Sequence, residues 1–375
     1  MFKTVHLTSV HYAFDTRIFY KECSTLVQAG YQVVLVVPHD NDEAIEGVQI
    51  RAVPKPRSRG ERMTRTTWQL YRIAIQENSD IYHIHDPELL MLGQFLRLTG
   101  KRVVYDMHEN LPMDVTTKTW IHPMLRPLFG IIFRFFQRVL LFRMPIIFAE
   151  TSYSKYFQNK RKHVTVLNFP LAQNLLPLEA SKYSVPTVCY IGAVCPQRGS
   201  LVTLKALQRL KTDGLDVHWE CIGQVEDEGK LELEKAANEI GFNRIRLRGR
   251  MKLVECWKIM ALCHVGLAVL QPEPNHLESY PTKVFEYMAL GMPVIISNFR
   301  LYREVVQASA CGICVNPENP EEIAYAIRWL LDHPHEAAAM GKNGQAAVIE
   351  KYSWDKEGQK LLAFYKDLLS VVSQR

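Results

Sequence analysis

Two glutamates, Glu278 and Glu286, stand in a stretch dense with helix punctuation, HLESYPTKVFEYMALGMPVIIS. Ser279 can cap a helix, Pro281 fits a first turn, Gly291 can end it, and PVIIS has the apolar run of a buried strand. The order predicted is loop, short helix, strand. At ~1.5 Å of rise per helical residue the two carboxylates are attached roughly 10 Å apart. One can then meet a sugar while the other accepts both hydroxyls of a ribose diol. The helix start, near Pro281 to Val284, carries unpaired N–H groups and the positive end of the dipole, which suit a diphosphate. On spacing alone, an exposed helix with two unrelated acids fits equally well.

A diphosphate needs cations, and three positions offer them. Arg198, beside Gly199 in the loop YIGAVCPQRGS, can grip two phosphate oxygens at once. Lys283, next to Thr282 in the first turn of the helix, is mildly unfavourable there without an anion, which argues for ligand contact; a surface lysine is the alternative. Arg250, after RLRG, can flank a nucleobase. His11, Asp15 and Arg17 occupy the loop after the first strand, where Asp15 and Arg17 either contact an acceptor or pair with each other. His83 and His85 are read as alternating to opposite sides of a strand, so that at most one reaches a site and either is expected to be structural. Asp86, before Pro87, reads first as a helix cap.

These residues need a scaffold. FKTVHLTSV, a helical stretch around Phe19 to Gln28 ended by Gly30, and YQVVLVVP form a β-α-β unit, and IYHIHDPELL and KRVVYDMHE add two strands. From about Pro186 the alternation restarts with TVCYIGA, VHWECIG, RIRLRG and HVGLAVL, so a second parallel sheet is expected. The predicted architecture is α/β with two Rossmann-like domains and a cleft between them. Residues 1–170 are expected to form the first domain, residues 171–352 the second, and residues 353–375 a terminal helix crossing back to the first. A chain of 375 residues favours two such cores over one.

The pair Glu278 and Glu286 with PTKVFEYMALGMPVI resembles the donor-binding helix and following strand of family 4 retaining glycosyltransferases, which have the GT-B fold. FDTRIFYKE, HIHDPELL, VVYDMHENLP and YSWDKEGQKLLAFY are similar to segments of bacterial polysaccharide and capsule members, in the same order. The resemblance implies transfer of a sugar from a nucleotide-sugar, UDP-linked first and GDP-mannose next, to a saccharide or lipid-linked saccharide, with retention and without a metal. It makes residues 1–170 the acceptor-binding domain and residues 171–352 the nucleotide-sugar-binding domain, and places Glu286 on the ribose, Glu278 beside the sugar, and His108 near the reacting carbon, with Arg198 stabilising the departing phosphate. The family loop GR-x4-KG is matched only at Arg198-Gly199, because Ala193 stands where its first arginine falls. A nucleotide-sugar epimerase of the same fold and a noncatalytic sugar-nucleotide-binding protein are the rival readings.

Composition narrows the partners. The net charge of +6 is modest, and nothing indicates nucleic acid; the crowding of Arg51, Lys55, Arg57, Arg59, Arg62 and Arg65 suggests an anionic partner. The stretch MLRPLFGIIFRFFQRVLLFRM, with Arg126, Arg134, Arg138 and Arg143, fits the surface of an anionic membrane or a core helix with snorkelling arginines. No apolar run spans a bilayer and the N-terminus lacks a signal-peptide layout, so a cytoplasmic location is expected, with the inner membrane face as its margin. The eight cysteines sit mostly in apolar surroundings, and Cys311 and Cys314 lack partners in the sequence for zinc, so neither disulfides nor metal are expected.

Overall fold

The computed structural model describes residues 1–108, 122, 124, 126–156, 162–176, 180–225 and 227–370. Contacts divide the chain into two compact units, one of Met1–Asn168 with the terminal segment from Trp354, the other of Phe169–Ser353.

The first unit is built on strands β1 (Lys3–Leu7), β2 (Gln32–Pro38), β3 (Glu43–Ile45), β4 (Val48–Val53), β5 (Ile81–Ile84), β6 (Val103–Met107), β7 (Ile146–Phe148) and β8 (His163–Thr165). They lie in the order β3-β4-β2-β1-β5-β6-β7-β8, all parallel except β3 against β4. The β3–β4 hairpin turns at Glu46 and Gly47, both at positive φ (51° and 82°), the conformation a two-residue turn between twisted strands needs. It draws Arg51 into β4, where it pairs with Val36.

Period-two alternation gives this sheet two unlike faces. Val5, Leu7, Tyr82, Ile84, Tyr105 and Met107 point to one side and form a core with Leu70 and Ala74 of the helix Thr67–Glu77 and Leu92 and Leu96 of the helix Leu90–Leu98. His6, His83 and Asp106 alternate with them, are all fully buried, and point to the other side. Packed in the same unit are the helical turns of residues 18–28 and the terminal helix Trp354–Ser370, which touch each other. Trp354 Nε1 donates to Thr25 Oγ1 at 2.8 Å, and Glu357 Oε2 accepts from the Leu167 N–H at 2.8 Å.

The second unit holds β9 (Thr187–Ile191), β10 (His218–Ile222), β11 (Ile245–Leu247), β12 (Val265–Ala268), β13 (Val294–Ser297) and β14 (Gly312–Val315). Their order is β11-β10-β9-β12-β13-β14, with every pairing parallel. The chain starts in the middle, winds one way to β11, then returns to β12 and winds the other way. The strand order thus reverses beside β9, and ligands of open α/β sheets bind outside the carboxyl ends of the strands at such a point.

Candidate active site

The loops at that reversal are shaped by glycines no other residue could replace. Gly192, directly after β9, has φ +124°, and Gly223, after β10, has φ +141°; a Cβ on Gly223 would sit 2.1 Å from the Gly192 carbonyl oxygen. Gly199 has φ +84°, and a Cβ there would fall 2.0 Å from the Val269 oxygen. Gly199 therefore closes the turn Pro196–Arg198 directly against the end of β12 and fixes where Arg198 stands.

The helix Thr282–Ala289 is held at the same end of the sheet by Tyr287. Its ring lies over Gly266 of β12, where a Cβ would come within 2.3 Å of it. The Tyr287 hydroxyl accepts from the Ile191 N–H at 2.9 Å and lies 3.3 Å from the Leu267 carbonyl oxygen, to which it donates. Pro281 occupies the N-cap position and its side chain makes no cap, while Ser279 Oγ donates back to the Asn275 carbonyl at 2.6 Å. Ser279 thus closes the short helix Pro274–Glu278 that precedes, rather than capping the helix that follows as the sequence suggested. Gly291, at φ +68°, ends it.

Lys283 is not a surface lysine, for its side chain is buried at 7% exposure. Nζ donates to the Tyr190 hydroxyl at 2.8 Å and lies 4.0 Å from the centre of the Tyr190 ring. Tyr190 hands its own proton to the Ala193 carbonyl at 2.9 Å. A Cβ at Gly192 would lie 3.2 Å from Lys283 Nζ and 3.6 Å from Arg198 Nη1, so both cations face one glycine. Burial, and next the nearby Arg198 charge, push the Lys283 ammonium well below the usual lysine range, against the pull of Glu286. Two cationic side chains converging on a residue without a side chain could hold an anion between them.

Around this point Thr282 is exposed in the first turn, Glu286 is half-buried one turn further on, and Glu278 is half-buried as the last residue of its own short helix. Glu286 also lies near Cys256, whose thiol is pushed up to about 11 by burial and then by that carboxylate. Arg250 is exposed in the loop after β11. Tyr190 and Gly192 escaped the sequence reading. The signal available was the period-two alternation of TVCYIG, which sends Tyr190 to the same side as Val188 and ends on the glycine.

In the first unit the sequence-derived candidates scatter. Arg17 is 3% exposed, and Nε and Nη2 bind the two Asp106 oxygens at 2.9 Å each, with Nη1 donating to the Val166 carbonyl at 2.9 Å. Its Nε is also 3.0 Å from Glu22 Oε1. Arg17 is accordingly a core clamp, neither an acceptor contact nor the partner of the Asp15 side chain. Asp15 Oδ1 instead accepts the backbone N–H groups of Arg17 and Ile18 at 2.9 and 3.0 Å. Burial alone would raise it, but hydrogen bonds from His11 and this backbone hold its carboxyl well below the ordinary range. Asp86 makes no side-chain cap; its Oδ2 accepts from Thr8 Oγ1 at 2.9 Å and from the Ser9 and Val10 N–H groups, so the loop after β1 turns its donors inward.

His83 and His85 do not face opposite sides. Their rings are stacked with centroids 4.5 Å apart, because residues two apart on a strand share a face. His108, just past β6, is 16% exposed with Nε2 2.9 Å from Asp106 Oδ2.

The basic segment is largely neutralised from within. Arg51 pairs with Glu77 at 2.9 Å, Lys55 with Asp40 at 2.9 Å, Arg62 with Glu88 at 2.7 Å and Arg65 with Glu61 at 3.6 Å. That removes the sequence argument for an anionic partner there. The helix Arg126–Leu140 is not a core helix either. Ile131 (65%), Phe135 (64%), Phe136 (57%) and Phe142 just beyond it (62%) stand in solvent, and so do Phe95 and Leu98 of the helix Leu90–Leu98 that it touches. Arg134, Arg138 and Arg143 are exposed among them. No described helix is long and apolar enough to cross a membrane. All eight cysteines are free thiols.

Comparison with known proteins matches residues 16–164 to the family described as Glycosyltransferase Family 4 and residues 179–347 to Glycosyl transferases group 1. Among curated proteins the chain is 22% identical over 315 residues to the MMP alpha-(1->4)-mannosyltransferase of Mycolicibacterium hassiacum, covering 80% of this chain and 74% of that one. It is 23% identical over 285 residues to the D-rhamnosyltransferase WbpZ of Pseudomonas aeruginosa, covering 73% and 70%. Sucrose-phosphate synthase from Thermosynechococcus elongatus superposes with a TM-score of 0.79 at 16% identity, covering 98% of this chain and 99% of that one. Anabaena HepE in complex with UDP-glucose superposes with a TM-score of 0.75 at 14% identity, covering 98% and 100%.

Proposed function

Because the chain belongs to the family 4 glycosyltransferases and has the GT-B fold, we propose that it transfers a sugar from a nucleotide-sugar donor, with retention of configuration. The observation carrying this is the convergence of Lys283 and Arg198 on Gly192 at the reversal of strand order. The diphosphate lies there, beside the first turn at Thr282 and Lys283, where two cations and unpaired helix N–H groups meet its charge. Glu286 accepts the ribose hydroxyls, Arg250 flanks the base, and Glu278 and His108 contact the sugar.

Transfer passes through an oxocarbenium-like state in which the leaving diphosphate gains charge. Arg198 and Lys283 stabilise that charge in place, a role a metal would otherwise fill, so the reaction is taken to be metal-independent. UDP-sugars are the first expectation for the donor, in line with the UDP-glucose held by the similar HepE structure. GDP-mannose is the next.

The acceptor is taken to be a saccharide or lipid-linked saccharide of surface polysaccharide synthesis, met at the inner face of the cytoplasmic membrane. The exposed aromatic and aliphatic side chains of the helix Arg126–Leu140, with Arg134, Arg138 and Arg143 among them, support docking on an anionic bilayer. A thermal-shift panel of nucleotide sugars tests the donor half, since a ligand that binds only the folded protein raises its melting temperature. A rise with one nucleotide class supports the reading, and a flat panel at millimolar donor contradicts it.

A further inference from the structure

The end of β9 and the helix Thr282–Ala289 are tied twice, both times through a tyrosine hydroxyl. Lys283 and Tyr287 are four residues apart and so share one face of that helix. Tyr287 Oη accepts the Ile191 N–H at 2.9 Å, and Lys283 Nζ donates to the Tyr190 hydroxyl at 2.8 Å. Alternation along β9 puts Val188 and Tyr190 in one core cluster with Leu267 and Val269. The ring of Tyr190 is thereby anchored in the sheet, while its hydroxyl meets the loop that follows.

The polarity of that hydroxyl is fixed. Burial pushes it above the usual tyrosine range, so it keeps its proton. It gives this proton to the Ala193 carbonyl at 2.9 Å, and toward Lys283 it can therefore only accept. An ammonium has three hydrogens. Among the described residues Nζ has this one acceptor, which leaves two N–H groups without a protein partner. The same nitrogen lies 4.0 Å from the centre of the Tyr190 ring, whose π face favours a cation. Burial and the Arg198 charge both oppose an ammonium at this place, and Glu286 is the first group to pull the other way. A charge so disfavoured stays in one position only where an acceptor holds it, and Tyr190 is that acceptor.

We propose that Tyr190 is a positioning residue of this site: its hydroxyl and ring face hold the Lys283 ammonium over Gly192 beside Arg198, leaving two N–H groups for a nucleoside diphosphate. The inference rests on the reading of the second unit as a nucleotide-sugar site. It adds that the place of the ammonium matters as much as its charge. Tyr190 then acts on the ligand through Lys283 alone, so the two residues contribute to nucleotide binding as one unit.

The test is a double-mutant cycle on full-length protein, read by calorimetry with UDP and GDP and with folding checked by circular dichroism. Tyr190→Phe keeps the ring and removes the acceptor. It should weaken binding of the nucleotide that wild type prefers about tenfold, the loss expected when a hydrogen bond to a charged group goes. In the Lys283→Met background the same change should cost nothing further. Lys283→Arg keeps the charge but cannot put a compact ammonium in the same place, so it should also bind about tenfold less tightly than wild type. Wild-type affinity in Tyr190→Phe, an equal loss in both backgrounds, or wild-type affinity in Lys283→Arg overturns the proposal. If Tyr190→Phe does not fold, Lys283→Arg decides alone. If Lys283→Met binds both nucleotides as tightly as wild type, or wild type binds neither, the placing of the diphosphate has failed, and the role of Tyr190 falls with it.

Discussion

Replacing Lys283 with methionine should make the free protein more stable and its donor binding weaker. Methionine keeps the length of the apolar stem but removes a charge that is buried at 7% exposure beside Arg198. Relief of that desolvated charge outweighs the hydrogen bond lost to Tyr190, whose hydroxyl still donates to Ala193. The net gain is about 1 kcal/mol, or roughly 2–4 °C in Tm for a unit of this size. A charge-assisted contact to phosphate contributes about 1.5–3 kcal/mol, so UDP or GDP should bind roughly 10- to 100-fold less tightly.

The lysine also sets a pH dependence. Its folded pKa lies below the unfolded value near 10.5, so the unfolded chain holds more protons in between. Stability of the free wild type therefore gains a contribution as pH rises from the depressed value toward that of an ordinary lysine, and Lys283→Met removes this slope. Scanning fluorimetry across pH, with and without UDP and GDP, reads both effects. A lower Tm in the free variant together with unchanged nucleotide affinity would show Lys283 to be a structural residue and refute the reasoning.

Other substitutions separate the remaining roles. Glu286→Ala should weaken UDP or GDP binding about tenfold or more by calorimetry with little change in Tm, since the carboxylate is only half-buried. Arg198→Ala should mainly lower kcat; unchanged turnover in both variants would sink the assignment. Phe135→Glu combined with Phe136→Glu should reduce binding to vesicles containing phosphatidylglycerol by more than about tenfold, because each aromatic ring contributes about 1.5–3 kcal/mol when buried. Equal flotation of that variant and the wild type would remove the membrane from the account, and self-association of the wild type without vesicles would point to a second copy of the chain as the occupant.

What was legible in the chain was whatever local pattern fixes. The restart of strand and helix alternation near Pro186 marks a second sheet, and PTKVFEYMALGMPVI places its helix and strand within a residue or two of where they stand. The hairpin at Glu46 and Gly47 carries neither Asn-Gly nor Asp-Gly, and the three residues EAI before it are too short a run to read as a strand. For Lys283 the first helical turn leaves ligand contact and a surface position both open, and only Gly192 and Tyr190, 91 and 93 positions away, decide against the surface. The polar face of the first sheet was illegible for a similar reason. His6 and His83 become neighbours only once β1 pairs with β5, and Arg17 meets Asp106 only once β6 is in place. Pairing across the chain is not written in any single segment.

The central claim is that the second unit holds a nucleotide-sugar whose diphosphate is the leaving group. Its most direct test is to incubate the protein without acceptor, with the donor that raises its melting temperature, and to follow nucleoside diphosphate and free sugar by chromatography and proton NMR. Slow release of nucleoside diphosphate with the α-anomer as first product is expected from wild type on an α-linked donor, and its loss in Glu286→Ala. Conversion of the donor to an isomeric nucleotide-sugar, or equal release by the variant, would contradict the account.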